Sequence, residues 1–202
     1  MDYLKFIAET IHSVVAATTD DEGLPVTCAL DIMDADENGL YFLTAKGKGL
    51  YRRLVNRKYI AVTGLSGHDT LSSKAVSLRG NVRELGSSPL EHLINKNPYM
   101  EKIYPTAESR KALTVFQIYK GCGEWFDLSK RPIERKTFCF NETAVQHGYF
   151  IGNKCNGCRS CFYVCPQNCI DFEDGFAVIR QDNCLCCGNC MEACKAGAVV
   201  RL

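Results

Sequence analysis

Two series of four cysteines near the C-terminus are the residues of this chain with the most evident chemistry. Each series has the spacing C-x-x-C-x-x-C-x-x-x-C, which is typical of loops that bind a [4Fe–4S] cluster. The first three cysteines of a series can converge on one face of a tight loop, whereas the fourth begins a helical turn and ligates the neighbouring cluster. Two ligand sets are therefore predicted. One cluster is assigned Cys155, Cys158, Cys161 and Cys194, and the other is assigned Cys184, Cys187, Cys190 and Cys165. Pro166 directly follows Cys165.

Zinc sites and a disulfide framework are the main alternatives for these cysteines. Zinc usually takes two C-x-x-C pairs separated by a longer loop, so half of the cysteines of each series would be surplus. Disulfides are typical of secreted chains, and the N-terminus, Met1-Asp2-Tyr3-Leu4, does not have the basic and apolar regions of an export signal. The spacing therefore favours iron–sulfur clusters, and with them electron transfer.

The segment 149–202 resembles the bacterial two-cluster ferredoxins along its whole length. It is also an internal repeat, because residues 154–170 match residues 183–199. Apolar residues on both sides of Asp174-Gly175 predict a β-hairpin between the two halves. A segment of this size has too little apolar volume to fold alone, so we expect the clusters to hold it together. Lys195, where the family commonly has proline, and the additional Cys169 and Cys186 depart from the family pattern without an assignable role.

Composition limits the remaining possibilities. The 202 residues, 46% of them hydrophobic, allow one domain of ordinary size beside the cysteine-rich segment. A formal net charge of +1 argues against a general nucleic-acid-binding protein. No apolar run approaches the ~18 residues that a membrane span requires, so a soluble, cytoplasmic protein is expected. Three cysteines outside the cysteine-rich segment, Cys28, Cys122 and Cys139, are predicted to be buried thiols.

The first 145 residues are predicted to form a β-rich domain. Apolar spacing predicts a helix over residues 2–12 and another over 48–56, with a broken helix over 89–103. Runs of β-branched and aromatic residues predict strands over 13–18, 25–32, 39–44, 59–65, 74–84 and 113–128. The last of these strands is predicted to be interrupted at residues 121–123. This order of antiparallel strands is typical of a small barrel. The predicted fold is α+β, an antiparallel split β-barrel over residues 1–145 and a small ferredoxin-like domain with two [4Fe–4S] clusters over residues 149–202.

One concentrated chemical feature of the first domain is the run Thr44-Ala45-Lys46-Gly47-Lys48-Gly49, between a predicted strand and a predicted helix. Glycines let backbone N–H groups approach an anion, and a helix N-terminus adds partial positive charge. The hydroxyl of Thr44 and the ammonium groups of Lys46 and Lys48 suit a phosphate. A solvated basic helix face after a flexible turn is the alternative for the same pattern.

Three runs of the first domain, residues 39–44, 56–64 and 76–82, resemble the flavin-binding split barrels related to pyridoxamine 5′-phosphate oxidase, and the similarity spans most of residues 1–140. The resemblance implies a homodimer with FMN at the subunit interface. It places the FMN phosphate on Thr44, Lys46 and Lys48. The residues it places along the isoalloxazine are Val26, Thr27 and Cys28, with Arg79 and Asn81 as weaker candidates. A deazaflavin is the alternative cofactor, since the lysines do not distinguish the two, and nothing in the chain matches the pyridoxal phosphate site of that family.

A flavin accepts electrons in pairs and releases them singly, whereas each cluster passes one electron. We therefore predict an oxidoreductase. A redox protein such as a reduced ferredoxin reduces the clusters, the clusters reduce FMN, and FMN reduces a small redox-active acceptor. The electrons can also pass in the reverse direction. No side chain is assigned a catalytic role. Two alternatives stay open: an electron carrier whose barrel serves only for docking or dimerisation, and a redox sensor.

Overall fold

The computed structural model describes residues 2–144 and 147–202, which form two compact units. The barrel unit comprises the described residues up to Gly67 together with Ala75–Trp125 and Thr137–Thr143. The cysteine-rich unit comprises His68–Lys74, Phe126–Lys136 and the described residues from Ala144 to Leu202. Two short segments of the first 145 residues therefore group with the cysteine-rich unit, although no pattern in the sequence indicates it.

The barrel is built from the first six strands of a seven-stranded sheet. Its order is β3-β2-β1-β4-β5-β6-β7, and an additional pairing of β3 with β6 closes the barrel. The strands are β1 (Ser13–Thr19), β2 (Pro25–Asp36), β3 (Gly39–Ala45), β4 (Tyr59–Ser66), β5 (Lys74–Gly86), β6 (Leu113–Asp127) and β7 (Glu134–Phe140). The predicted α+β fold with an antiparallel split barrel is confirmed, because alternating apolar residues on each strand fill the interior. At its centre, Phe42 of β3 and Phe116 of β6 stack with ring centroids 5.7 Å apart.

Short helices connect and cover these strands. At the N-terminus, α1 (Tyr3–Lys5) continues into a π-helix, Phe6–Ile11, where the sequence predicts a single helix. Helix α2 (Gly49–Arg57) links β3 to β4. The predicted broken helix consists of α3 (Leu90–Lys96) and α4 (Met100–Ile103), and α5 (Ala107–Arg110) precedes β6. The part of the chain that the structure describes contains no helix that is long and apolar enough to span a membrane.

The predicted interruption of the last barrel strand is wrong, because β6 is continuous through Gly121 and Gly123. A Cβ atom on Gly121 would lie 2.4 Å from the backbone oxygen of Arg79, and one on Gly80 would lie 2.3 Å from that of Lys120. The glycines therefore allow β5 and β6 to approach closely. From the sequence alone, Gly121 and Gly123 cannot be distinguished from the glycines of a turn.

The prediction of buried thiols is also wrong for two cysteines. Cys122 on β6 and Cys139 on β7 are half-buried and form a disulfide with an S–S distance of 2.06 Å. The sheet places β6 beside β7, which brings their Cα atoms to 4.1 Å although the residues are 17 positions apart. Cys28 is a free thiol, but it is half-buried at the edge of the barrel core.

The cysteine-rich unit contains two small antiparallel sheets. One pairs β8 (Tyr149–Ile151) with β11 (Val199–Arg201), and the other is the predicted hairpin of β9 (Ile170–Glu173) and β10 (Phe176–Ile179). Asp174 and Gly175 in its turn have φ values of 47° and 84°, the left-handed region that such two-residue turns require. Helices α6 (Ser160–Tyr163) and α7 (Asn189–Glu192) complete the two halves. Among the described residues of this unit, the buried core is Tyr149, Cys161, Cys169, Ile170, Ala177, Ile179, Cys184, Cys190 and Val199, and four of these nine are cysteines.

Candidate cofactor sites

Two cavities in the cysteine-rich unit are lined by thiols. The first is lined by mostly apolar residues together with Cys155, Cys158, Cys161 and Cys194. The second contains the thiols of Cys165, Cys184, Cys187 and Cys190, and also that of Cys169. Thiolates in an apolar surrounding are the usual donors for an iron–sulfur cluster, so both cavities fit such a group. Each cavity brings together one of the two ligand sets that the spacing predicts, and the ligation itself stays a prediction.

The internal repeat gives the fourth cysteine of each series the same surroundings. The backbone N–H of Ala198 donates to the sulfur of Cys194 at 3.2 Å, and the N–H of Cys169 donates to the sulfur of Cys165 at 3.4 Å. In both halves the donor lies four residues after the cysteine. Hydrogen bonds to ligand sulfurs are one of the means by which a protein sets the potential of a cluster.

The two halves differ at these donor positions, because Cys169 carries a thiol where Ala198 has a methyl group. The sulfur of Cys169 lies 3.4 Å from the sulfur of Cys165 and is almost fully buried. The cavity around Cys165 therefore has one more thiol than the four that a cluster requires.

The acidities of these thiols differ with their surroundings. Burial, reinforced by the neighbouring Cys184 and Cys187, raises the pKa of the Cys190 thiol to about 11. A hydrogen bond from Cys169 lowers the pKa of Cys184 to about 6. A cysteine binds metal as its thiolate, so cluster assembly must remove the proton that burial holds on Cys190.

In the barrel unit, the predicted phosphate-binding residues lie between the end of β3 and the start of α2. Thr44 is 3% exposed, and its hydroxyl has no hydrogen-bond partner among the described residues. Lys46 and Lys48 are exposed, and Lys48 occupies the N-cap position of α2 without a side-chain cap. The first N–H groups of α2 therefore lack the side-chain acceptor that often satisfies a helix N-terminus. An orphaned buried hydroxyl beside an uncapped helix N-terminus fits an anion such as phosphate.

Arg53 is a candidate that the sequence did not single out. Its Nε donates to the hydroxyl of Thr18 at 2.7 Å. A Cβ atom on Gly49 would lie 2.9 Å from its Nη1, so the guanidinium covers the first residue of α2. The spacing of four residues between Gly49 and Arg53, one helical turn, is the signal that could have indicated this placement.

The predicted flavin-ring residues lie on β2, beside β1. Val26 pairs with Thr18, the residue that accepts the hydrogen bond of Arg53, so this part of β2 is close to α2. Val26 and Cys28 are half-buried, whereas Thr27 between them is exposed. Arg79 and Asn81 lie on β5, which the sheet order separates from β2 by two strands.

An open cleft lies in this part of the barrel unit. It is lined by Ala29 and Leu30, which directly follow Cys28, and by Thr44 and Lys48. The lining of the cleft does not include the other predicted flavin-binding residues, all of which the structure describes: Val26, Thr27, Cys28, Lys46, Arg79 and Asn81. The structure thus brings together two of the predicted phosphate-binding residues, Thr44 and Lys48, in one cleft. The last of the predicted flavin-ring residues, Cys28, directly precedes Ala29 in the lining of this cleft. Asp31 and Tyr99 also line the cleft, and no motif in the sequence points to them.

Comparisons with known proteins agree with the two-unit organisation. A family model described as pyridoxamine 5′-phosphate oxidase matches residues 2–120, and one described as 4Fe-4S dicluster domain matches residues 147–195. An uncharacterized ferredoxin of Methanocaldococcus jannaschii is 38% identical over 81 residues, which cover 39% of this chain and 49% of the relative. The B subunit of the anaerobic dimethyl sulfoxide reductase of Escherichia coli is 40% identical over 90 residues, 38% of this chain and 44% of the relative. The protein thus spans about half the length of the curated relatives it matches.

Solved structures resemble the barrel unit. A NimC/NimA family protein from Clostridium acetobutylicum has a TM-score of 0.55 and 16% identity, covering 68% of this chain and 91% of that chain. A protein of the same organism related to general stress protein 26, of the pyridoxinephosphate oxidase family, has a TM-score of 0.52 and 19% identity, covering 65% and 88%. At these identities the likeness shows the fold alone.

Proposed function

Because this chain belongs to the pyridoxamine 5′-phosphate oxidase family and carries a 4Fe-4S dicluster domain, two features that indicate an electron-transfer protein, we propose that it is an FMN-dependent iron–sulfur oxidoreductase. In this proposal two [4Fe–4S] clusters exchange electrons one at a time with FMN, which exchanges electron pairs with a small redox-active molecule. The observation that carries it is the convergence of cysteines from both series on each of two separate cavities. A redox protein is the proposed electron donor or acceptor, and the active form is proposed to be a cytoplasmic homodimer.

The proposed clusters are held by the crossed ligand sets described above, and the FMN phosphate by Thr44, Lys46 and Lys48. We add Arg53 to this group, because its guanidinium lies beside Gly49 at the start of α2. Val26, Thr27 and Cys28 remain the proposed contacts of the flavin ring, with Arg79 and Asn81 as weaker candidates. A bound phosphate would accept the otherwise unpaired hydrogen bond of Thr44, whose burial without a partner costs about 1–3 kcal/mol.

Anaerobic purification followed by analysis of iron, sulfide and released cofactor tests the proposal. We expect about eight irons and about eight sulfides per chain, as two [4Fe–4S] clusters require, together with about one FMN. Full iron content without any flavin would support the electron carrier instead, and a released deazaflavin would correct the cofactor. A colourless protein without sulfide would refute the cluster assignment.

Replacing both Lys46 and Lys48 by alanine should weaken FMN binding about tenfold, a loss of about 1.4 kcal/mol. The reason is that two ammonium groups next to the helix N-terminus are removed, while their exposure limits the contribution of each. Fluorescence titration of the apoprotein with FMN measures the change. Iron content should stay constant, and the variant Lys5→Ala/Lys111→Ala, which removes two exposed lysines elsewhere, should bind FMN like the wild type. Equal affinities of both double variants would exclude the two lysines from the site.

Thr44→Val should have opposite effects on stability and on cofactor binding. Without cofactor, the variant should be about 1 kcal/mol more stable, because it removes a buried hydroxyl that has no partner. Its affinity for FMN should fall about tenfold, since the phosphate loses a donor. Urea unfolding followed by the fluorescence of Trp125, which lies in the barrel core, measures the stability.

Thr114→Val is the matched control for this change. Thr114 is the register partner of Thr44 and is equally buried, but its hydroxyl donates to Glu84 at 2.7 Å. Its replacement should therefore destabilise the apoprotein and leave FMN affinity nearly unchanged. If Thr44→Val behaves like Thr114→Val, the hydroxyl of Thr44 has no role at the phosphate.

A further inference from the structure

A segment that precedes both cysteine series packs beside the second of the two thiol-lined cavities. It consists of residues 133–136, which belong to the cysteine-rich unit. The N–H of Ile133 donates to the side-chain oxygen of Gln167 at 2.8 Å, and its carbonyl accepts from the side-chain amide of Asn183 at 3.1 Å. Each of these two side chains lies within two residues of a cysteine of the second cavity. The segment is therefore fixed next to predicted cluster ligands.

The residues that hold this segment are not repeated at the first cavity. The internal repeat aligns Gln167 with Ala196 and Asn183 with Lys154. The methyl group of Ala196 cannot accept a hydrogen bond, and Lys154 is exposed and has an ammonium group in place of an amide. The two halves of the unit thus have the same ligand spacing but different surroundings.

The segment places a buried positive charge at the second cavity. Arg135 is 6% exposed, and its guanidinium carbon lies 6.0 Å from the centre of the Phe126 ring. The guanidinium is within electrostatic range of the sulfur of Cys184, a predicted ligand. Two cations near the first cavity, Arg159 and Lys195, are exposed, so water and salt screen them. Because a buried charge is screened less, Arg135 should have the stronger influence on a nearby cluster.

The second cavity also has a thiol where the first has a methyl group. Cys169, which the repeat aligns with Ala198, is 2% exposed. Its sulfur lies 3.4 Å from that of Cys165, and the sulfur of Cys184 is a second acceptor for its proton. A cysteine binds metal as its thiolate, so Cys169 must be the donor when its neighbours hold iron. Both acceptors are predicted ligands of the same cluster, and the single proton therefore acts on that cluster whichever sulfur accepts it.

Both features favour the reduced state of a cluster at the second cavity. Reduction adds one negative charge, which a buried cation and a hydrogen bond to a ligand sulfur stabilise. We propose that Arg135 and Cys169 raise the reduction potential at the second cavity above that at the first, so that an electron shared by the two sites resides at the second. This inference rests on the proposed function and gives its electron path an order. One electron leaves the first site and enters the second, and no atom is transferred.

Redox titration of the anaerobically purified holoprotein, followed by electron paramagnetic resonance and absorbance, tests this order without an activity assay. The wild type should show two one-electron steps at different potentials. Arg135→Gln should change the ratio of reduced to oxidised cluster at the higher potential about tenfold, which equals a decrease of about 59 mV. The lower potential should stay constant. Arg135→Lys keeps the positive charge and should restore most of the difference.

Two other arginines of the same unit are the controls for this change. Arg201→Gln removes an exposed arginine of β11 and should leave both potentials unchanged. Arg159→Gln removes an exposed cation of the first cavity and should decrease only the lower potential. The shift caused by Arg159→Gln should disappear at high salt, whereas that caused by Arg135→Gln should persist, because salt screens exposed charges far more than buried ones.

An exchange of residues between the two halves tests Cys169 separately. Cys169→Ala should decrease the higher potential, and Ala198→Cys should increase the lower one, because each variant gives one half the residue of the other. Iron and sulfide analysis of every variant verifies that a shift reports the potential of an intact cluster.

Each outcome of these titrations decides the inference. Equal potentials in the wild type would overturn it. So would no shift in Arg135→Gln, an equal shift of both potentials, or a shift of the lower one alone. If Arg135→Gln does not retain its iron, Cys169→Ala decides instead, and an unchanged higher potential in that variant overturns the inference. All of these failures leave the proposed function standing, whereas a protein that purifies without clusters refutes both.

Discussion

Removal of the iron–sulfur clusters is expected to unfold the cysteine-rich unit while the barrel unit stays folded. The buried core of the cysteine-rich unit is small, and four of the nine core residues that the structure describes are cysteines, so few apolar contacts remain when the thiols lose their iron. Its elements are also short, with strands of three or four residues and helices of four. Units of this size usually depend on metals or disulfides for their stability, and binding of the metal then supplies the folding free energy.

Hydrogen exchange of the full-length protein before and after anaerobic treatment with a chelator and an oxidant measures this effect. The amides of β9 and β10 should lose their protection completely. Trp125 is the single tryptophan of the chain and is 4% exposed in the barrel core, so its fluorescence reports the barrel alone. Its emission should remain that of a buried indole. Retained protection of β9 and β10 without iron would contradict the dependence on clusters.

The second prediction concerns crossed ligation, and pairs of substitutions test it most directly. If Cys165 and Cys187 serve the same cluster, replacing both by alanine should cost no more iron than replacing one, and about four irons per chain should remain. If Cys165 and Cys158 serve different clusters, replacing both should remove nearly all iron. The two double variants differ only in whether Cys158 or Cys187 is replaced together with Cys165. Cys158 and Cys187 are both exposed and hold equivalent positions in the repeat.

These variants should be made in a Cys169→Ala background. The sulfur of Cys169 lies 3.4 Å from that of Cys165 in the same cavity, so it could replace a lost ligand and mask the effect. Iron and sulfide analysis of anaerobically purified protein gives the result. The reverse pattern, with iron retained when Cys165 and Cys158 are replaced and lost when Cys165 and Cys187 are replaced, would show that each series ligates its own cluster.

The chain's local patterns were sufficient for much of this picture. The proposed cluster ligands follow from spacing alone, because cysteines two residues apart can converge in a tight loop. The hairpin at Asp174-Gly175 and the strands of the barrel follow from turn preferences and alternating apolar residues. Three residues of the proposed phosphate site, Thr44, Lys46 and Lys48, also lie within a short window of sequence, whereas the contact of Arg53 with Gly49 came from the structure.

Only the tertiary structure decided the features that join distant parts of the chain. Cys122 and Cys139 pair because β7 lies beside β6, and Gly121 continues a strand because β5 passes close to it. Hydrogen bonds join the side chains of His12, Tyr99 and Asp31, although 87 positions separate His12 from Tyr99. Local sequence determines how each element folds, since turns, alternation and ligand spacing act over a few residues. Which elements meet depends on how the whole barrel buries its apolar faces, and no short segment contains that information.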